Sequence, residues 1–376
     1  MDDVVGVVLL GVVLGAAGAG AGIPDAAPAA TVRHGQPEMR PARVKLNADE
    51  VVVPMDSFGG RPVVSLMLDG RGPHRFVLDT GAAGSVMSRE VADTLDLAPL
   101  GEARVGSPGG ATNPGTLVRI GRVKMGGAVL RDLSLVATDL SRVFSKPDHP
   151  VGVLSALAFS GHLVTFDYPR QRITVRKGEL PAGNGADIFQ YEEKHHIPTL
   201  EIAVAGVPVQ AHLDSGSGRG LMLPAALAET LPLGGPLEDK GKARTVDGEW
   251  PIRQAPLDGT VTIGRFALEN PVVVFADGSP FGNIGYEILK GYSLTVDRKN
   301  RRFRLAESAP AEPAPAAPAT AAPGAAGSAG ERGTTGAPWP SGISCSGRPG
   351  RSSCGWCRAC PARASAPPWA CRRNRS

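Results

Sequence analysis

Cysteine is missing from the first 344 residues of this 376-residue chain; all five (Cys345, Cys354, Cys357, Cys360, Cys371) lie in the C-terminal tail. A disulfide framework therefore cannot hold the main part together, and cysteine usage leaves the compartment unassigned. Aromatic residues are scarce, at 5%, against 49 Gly and 34 Pro. That balance speaks against long helices and for many short strands joined by turns. Charge of one sign is also lacking. The formal net charge is +4, but residues 331–376 hold eight Arg against the single acid Glu331, so everything before them sums to 4 − 7 = −3. No charge argument then points to nucleic acid or a membrane surface as partner.

Several chemistries lack their residues. There is no H-E-x-x-H zinc helix, and neither Ser88 nor Ser160 sits in a nucleophile elbow. GSGRG at 216–220 lacks the G-x-G-x-x-G spacing of a dinucleotide loop. His195 and His196 have no cysteine or second histidine pair beside them and read as structural or solvated rather than metal-binding. The expectation is a protein with no metal and no cofactor.

What is present begins with an apolar run, VVGVVLLGVVLGAAGAGAG, shading into small residues. Residues 1–22 read as a signal peptide, with cleavage near Ala19 or Ala21, or as a retained N-terminal anchor, although Met1-Asp2-Asp3 supplies no basic residue ahead of it. Either way the protein is expected outside the cytoplasm, periplasmic or extracellular. No later stretch approaches the ~20 apolar residues of a membrane span. Residues 23–43 have linker composition. Residues 307–340 are too rich in Ala and Pro to bury a core and read as a disordered linker. Residues 341–376 show no periodicity. The Cys354-Gly-Trp-Cys357-Arg-Ala-Cys360 spacing is zinc-like or redox-like, but no His or acid completes a site, and the Arg/Ala/Pro/Ser/Cys/Trp mixture is that of a disordered or frame-shifted tail.

Between these ends, short apolar strands alternate with Gly, Pro, Asp and Asn turns, the pattern of a mainly β protein. The pattern repeats. TLEIAVAGVPVQAHLDSG (199–216) lies over VVSLMLDGRGPHRFVLDTG (63–81), and IGRVKMGGAVLRDLSLVA (120–137) over GTVTIGRFALENPVVVFA (259–276). VGVLSALAFSGHLVTFDYPRQRITV (151–175) lies over FGNIGYEILKGYSLTVDRKNRRFRL (281–305), with Gly152 and Gly282, and Asp167 and Asp297, in register. Three blocks in the same order predict two homologous lobes, 44–180 and 186–306, joined by a Gly/Pro-rich connection.

In each lobe an apolar strand runs into Asp, a small hydroxyl residue and Gly: Asp79-Thr80-Gly81-Ala82 and Asp214-Ser215-Gly216-Ser217. A single Asp-Thr-Gly is ordinary turn chemistry. Two copies in matched lobes resemble the pepsin and retropepsin clan of aspartic peptidases, over most of residues 60–306. The resemblance implies two β-barrel lobes with the active site in the cleft between them, and Asp79 and Asp214 as a catalytic pair. Two adjoining carboxyls cannot both ionise cheaply, so they share a proton; aspartic peptidases are the standard instance of that sharing. One carboxyl then acts as base toward water and the other as acid toward the peptide carbonyl. A peptide or protein is the implied substrate, cleaved by a monomer. A non-catalytic peptide-binding relative, and pairing of lobes between chains, remain alternatives.

The resemblance also implies supporting roles. Gly81 and Gly216 let the backbone turn tightly and bring N–H groups to the carboxyls. Thr80 and Ser215 bridge the two loops. Gly152-Val153-Leu154 and Gly282-Asn283-Ile284 thread beneath them. The second copy continues with Gly285 but the first with Ser155, which puts the packing under Asp79 in question. Ser217 can donate to an ionised carboxyl where Ala82 cannot, which predicts that Asp214 carries the negative charge and that activity peaks at mildly acidic pH. Residues 104–118, with Gly109 and Gly110, stand where a substrate flap belongs, though without the Tyr of pepsin-type flaps; Trp250 offers an aromatic wall from the second lobe or a plain core or rim residue.

Overall fold

Asp69-Gly70 illustrates how local sequence builds this fold. Both residues take positive φ (47° and 86°), the two-residue turn whose twist suits a hairpin, and they join strands Arg61–Leu68 and Arg71–Asp79. The second lobe repeats the device with Ala205 and Gly206 (φ 48° and 82°) between Ile197–Val204 and Val207–Leu213. The first strands of the two hairpins bury the same positions in the same order, with Leu66 and Ile202 inward and Ser65 and Glu201 outward. That alternation fixes which face meets the core, because a one-residue slip would turn every side chain over.

A computed structural model describes residues 11–13, 41–107, 111–144, 148–194, 197–246, 248–277 and 280–308. These fall in one compact unit, Met1–Ala314; the Cys/Arg-rich tail, most of the Ala/Pro-rich linker, His195-His196 and the flap residues Gly109 and Gly110 lie outside the described residues. The fold is mainly β, with two similar mixed sheets. Each is ten-stranded. In the first, Gly152–Ser155 lies parallel to Arg71–Asp79, with Ser155 level with Asp79. In the second, Gly282–Ile284 lies parallel to Val207–Leu213. A strand threaded beside each Asp-bearing strand is what holds the loop in place. The segment Gly11–Val13, inside the apolar N-terminal run, pairs at the edge of the first sheet with Gly101–Gly106. A leader cleaved near Ala19 or Ala21 would take this edge strand with it.

A third, six-stranded sheet joins the lobes. His162–Asp167 pairs antiparallel with Tyr292–Asp297, placing Thr165 opposite Thr295, Leu163 opposite Asp297 and Asp167 opposite Ser293. Because 295 − 165 = 130, the spacing that relates Gly152 to Gly282, each lobe meets the other's equivalent strand symmetrically about the threonine pair. Their hydroxyls touch at 2.9 Å. The local twofold axis of the molecule therefore passes through this pair, and the repeat in the sequence becomes a rotation in space.

Candidate active site

The loops that follow strands Arg71–Asp79 and Val207–Leu213 meet on that axis, and their hydroxyls exchange hydrogen bonds. Thr80 Oγ1 donates to Leu213 O, and Ser215 Oγ donates to Leu78 O at 2.9 Å. Each hydroxyl also accepts from the opposite loop's backbone: Thr80 N from one side and Ser215 N from the other, both at 3.0 Å. All these atoms are buried, so each bond satisfies a group that would otherwise be stranded without water. Asp79, Thr80, Asp214 and Ser215 are fully buried.

The loop glycines are required by close approach rather than by an unusual φ. A Cβ on Gly81 would strike the Asp214 carboxyl, and a Cβ on Gly216 would strike that of Asp79. Each glycine leaves the space that the other lobe's carboxyl fills. Their N–H groups donate within their own loops, Gly81 N to Asp79 Oδ1 at 2.7 Å and Gly216 N to Asp214 Oδ1 at 2.8 Å.

Here the symmetry ends. Asp214 Oδ2 receives a hydrogen bond from Asn283 Nδ2 at 2.6 Å, whereas the matching position in the first lobe is Val153, which has nothing to donate. Asp79 Oδ2 is buried and has no hydrogen-bond donor among the described residues. An oxygen so placed is best satisfied by carrying the proton itself and donating it across to Asp214. Burial, followed by the neighbouring Asp214 charge, drives the Asp79 pKa well above the ordinary carboxyl range. Asp214 is also raised by burial, but Asn283, Asp79 and the cation of Arg61 pull against it. Burial thus holds both carboxyls above the ordinary range, and Asp214 alone of the two receives a side-chain donor from outside the pair.

The sequence-based reason for that partition needs correcting. Ser217 does not make the bond assigned to it; its Oγ accepts from Arg219 N at 3.3 Å, and the side-chain donor to Asp214 is Asn283. Sequence reading took Asn283 for part of an apolar strand because its neighbours Gly282 and Ile284 are apolar; a polar residue inside such a run was the signal. The question over Ser155 also has an answer. Ser155 Oγ donates to Ala82 O at 2.6 Å and accepts from Leu157 N at 3.2 Å, so it secures the first loop. In the second lobe the hydroxyl comes from Ser217 above, and a Cβ on Gly285 below would meet Ser217 Oγ at 2.7 Å. Ala82 with Ser155, and Ser217 with Gly285, are two ways of placing one buried hydroxyl between loop and supporting strand.

A family model described as aspartyl protease matches the chain over residues 64–155 and 200–288, one segment in each lobe. The chain belongs to the aspartyl protease family. Both matched segments of this family member carry an Asp-Thr/Ser-Gly loop and the strand threaded beside it. No curated protein matches the chain.

Sequence reading missed two further residues at the centre. Arg61 is 2% exposed and crosses from the first lobe to donate from Nε to Gly216 O at 2.8 Å. Tyr168 is buried close enough to both carboxyls that burial, and then their charges, hold its phenol pKa well above the usual range. Neither is repeated, since the positions that match them hold Ile197 and Arg298.

Of the flap residues, Trp250 lies half-buried on Glu249–Pro256, paired with Ala243. The described residue that reaches the first lobe from this hairpin is Val246. It is 2% exposed, packs with Val105, Leu117, Val143 and Phe144, and accepts at its carbonyl from Asn113 Nδ2 of the first-lobe hairpin. The two hairpins thus meet each other.

Proposed function

We propose that this protein is an aspartic endopeptidase that hydrolyses peptide bonds with a water activated between Asp79 and Asp214. The observation that supports the reading is the unequal carboxyl pair: Asp214 bonded by the Asn283 side chain, and Asp79 with an oxygen that makes no hydrogen bond among the described residues. In the working state Asp214 is ionised and Asp79 protonated. Asp214 takes a proton from the water as it attacks the carbonyl carbon, while Asp79 gives its proton to the carbonyl oxygen. Collapse of the tetrahedral diol breaks the C–N bond as the leaving nitrogen is protonated, yielding one new carboxyl and one new amine. Thr80, Gly81, Ser215 and Gly216 hold the two carboxyls in place by the bonds described above, and Ser217 secures the second loop through Arg219 N. No step calls for a metal or cofactor.

The pH dependence follows from the direction of the two shifts. The coupled carboxyls lose their protons in two steps that belong to the pair, and both are raised, so activity should follow a bell displaced upward from the ordinary carboxyl range, rising with the first step and falling with the second. Both loops come from one chain, which supports a monomer. The apolar N-terminal run supports export, and the intact mass of secreted protein distinguishes a cleaved leader from a retained anchor. The test of function is hydrolysis of an unfolded protein over a pH series, with Asp79→Asn and Asp214→Asn beside the wild type. Turnover that survives in either variant rejects the pair.

A further inference from the structure

The guanidinium of Arg61 is the one fully buried cation among the described residues, and the hydrolytic reading gives it no task. It is delivered by the Gly59-Gly60 turn, where Gly60 has φ 82° and a Cβ would collide with the ring of Tyr286 from the second lobe. The first lobe thus docks its turn on the second and sends the next side chain across the axis. Nε donates to Gly216 O at 2.8 Å, Nη1 reaches Phe58 O at 3.5 Å, and Nη2 is buried with no partner among the described residues. The hydrogen bonds that Arg61 makes among the described residues go to backbone carbonyls.

A cation taken out of water without a paired anion is expensive, and it persists only where nearby charge compensates. Around Arg61 the charged and titratable groups are Asp214, Asp79, Arg219, Tyr168 and Tyr286. Arg219, on the loop that carries Asp214, is a second cation and opposes it. The phenol of Tyr168, held above its usual range by burial, is neutral. Compensation is left to the carboxyl pair. Arg219 is part-exposed and shares its charge with solvent, so among the fully buried groups one proton on the pair leaves a single negative charge that Arg61 balances. With two protons Arg61 is uncompensated, and with none the pair carries one negative charge more than Arg61 offsets.

We propose that Arg61 is a positioning residue for the carboxyl pair, anchoring the second loop through Gly216 O and making the once-ionised pair the electrically neutral state of the buried centre. The mechanical and electrostatic parts act on the same peptide, because Gly216 receives Arg61 at its carbonyl and gives its N–H to Asp214 Oδ1. Burial lowers the Arg61 pKa to about 10, with Asp214 and then Asp79 opposing the fall, so the cation is present throughout the acidic and neutral range. The second lobe holds Ile197 at the matching place, also fully buried, so the device is built once and biases one carboxyl.

The inference rests on the peptidase reading for its meaning but not for its test. In full-length protein with 13C-labelled aspartate, the side-chain carboxyls of the pair are titrated by NMR, alongside kcat/KM against pH. Arg61→Ile, which writes in the second lobe's residue, and Arg61→Gln, which keeps a donor for Gly216 O without the charge, are compared with Arg61→Lys. The expected result is an Asp214 titration, and an acid limb of kcat/KM, displaced upward by about 1 pH unit in both neutral variants, with Arg61→Lys staying near wild type. If Arg61→Ile does not fold, Arg61→Gln carries the comparison. An Asp214 titration at the wild-type position in a folded neutral variant overturns the proposal. If no form of the protein cleaves peptides, the peptidase reading fails, while the carboxyl titration still decides the role of Arg61.

Discussion

The two lobes are near copies in what they bury and unlike in what they place beside the aspartates. Strands Arg61–Leu68 and Ile197–Val204 bury the same positions, the same two-residue turn follows each, and the hydroxyls of Thr80 and Ser215 make reciprocal bonds. Yet Asn283 faces Val153, Arg61 faces Ile197, and Tyr168 faces Arg298 across the repeat. Apolar positions must match because two lobes related by a rotation share one sheet and one axis, so a change of packing on one side would tilt the axis for both. Polar positions at the axis are under the opposite demand. Two adjoining carboxyls that share one proton already divide into acid and base, and unequal surroundings fix which of them is which.

The largest effect expected from breaking that comparison is on the pair itself. Asp79→Asn or Asp214→Asn should each reduce kcat/KM by about 10³-fold or more, measured on an unfolded protein substrate. Their stability effects separate the two. A carboxyl whose folded pKa is raised stabilises the fold fully below its unfolded value, and that contribution is lost as pH rises through the folded value. Both carboxyls are raised by burial, so each Asn variant should remove part of the loss of stability that wild type shows on going from mildly acidic to alkaline pH, as read by melting temperature, and the variant that removes more marks the carboxyl that holds the proton.

Next in size are the glycines that make room for the opposite carboxyl. Gly81→Ala and Gly216→Ala should cost about 1–3 kcal/mol each in chemical denaturation, by overpacking a site that cannot yield. Similar losses from the two lobes mark the symmetric part of the site; a large difference between them would locate more of the asymmetry in the backbone than described above.

Asn283→Val copies the first lobe into the second. Loss of the 2.6 Å bond to Asp214 Oδ2 should move the acid limb of kcat/KM upward by about 1 pH unit while leaving its alkaline limb in place. A profile that shifts as a whole would assign Asn283 to both carboxyls.

The smallest expected effect belongs to the exchanged hydroxyl. Ser155→Gly should cost about 1 kcal/mol through loss of the bond to Ala82 O, and Ala82→Ser should crowd the same space. Made together they rewrite the first loop in the second lobe's manner, and the double variant should be more stable than the sum of the singles predicts, a coupling read from a double-mutant cycle. Strict additivity would mean that the two hydroxyls do not occupy equivalent places.

Much of this was legible in the chain because it is local. Asp69-Gly70 announces its hairpin, alternation along Arg61–Leu68 announces a half-buried strand, and the loops at Asp79 and Asp214 announce themselves by being written twice. The supporting strand Gly152–Ser155 could be placed from its match to Gly282–Ile284. Ser217 shows where local reading goes astray. It stands next to the Asp-Ser-Gly loop, so proximity in sequence made it the natural donor to Asp214, but its hydroxyl turns toward Arg219 N while Asn283, 69 positions away, supplies the bond.

The sequence by itself determined that there are two lobes, that each ends an apolar strand in a carboxyl, and that these carboxyls belong together. Repeats, alternation and turn residues are short-range properties that survive without coordinates. Only the tertiary structure decided how the carboxyls differ, because that depends on which buried groups the rotation of one lobe onto the other brings into range. Arg61 and Gly216 are 155 residues apart and 2.8 Å distant, and no pattern in the chain joins them. In the buried centre, where water does not screen or solvate, a single such contact weighs far more on the carboxyl pair than it would at the surface.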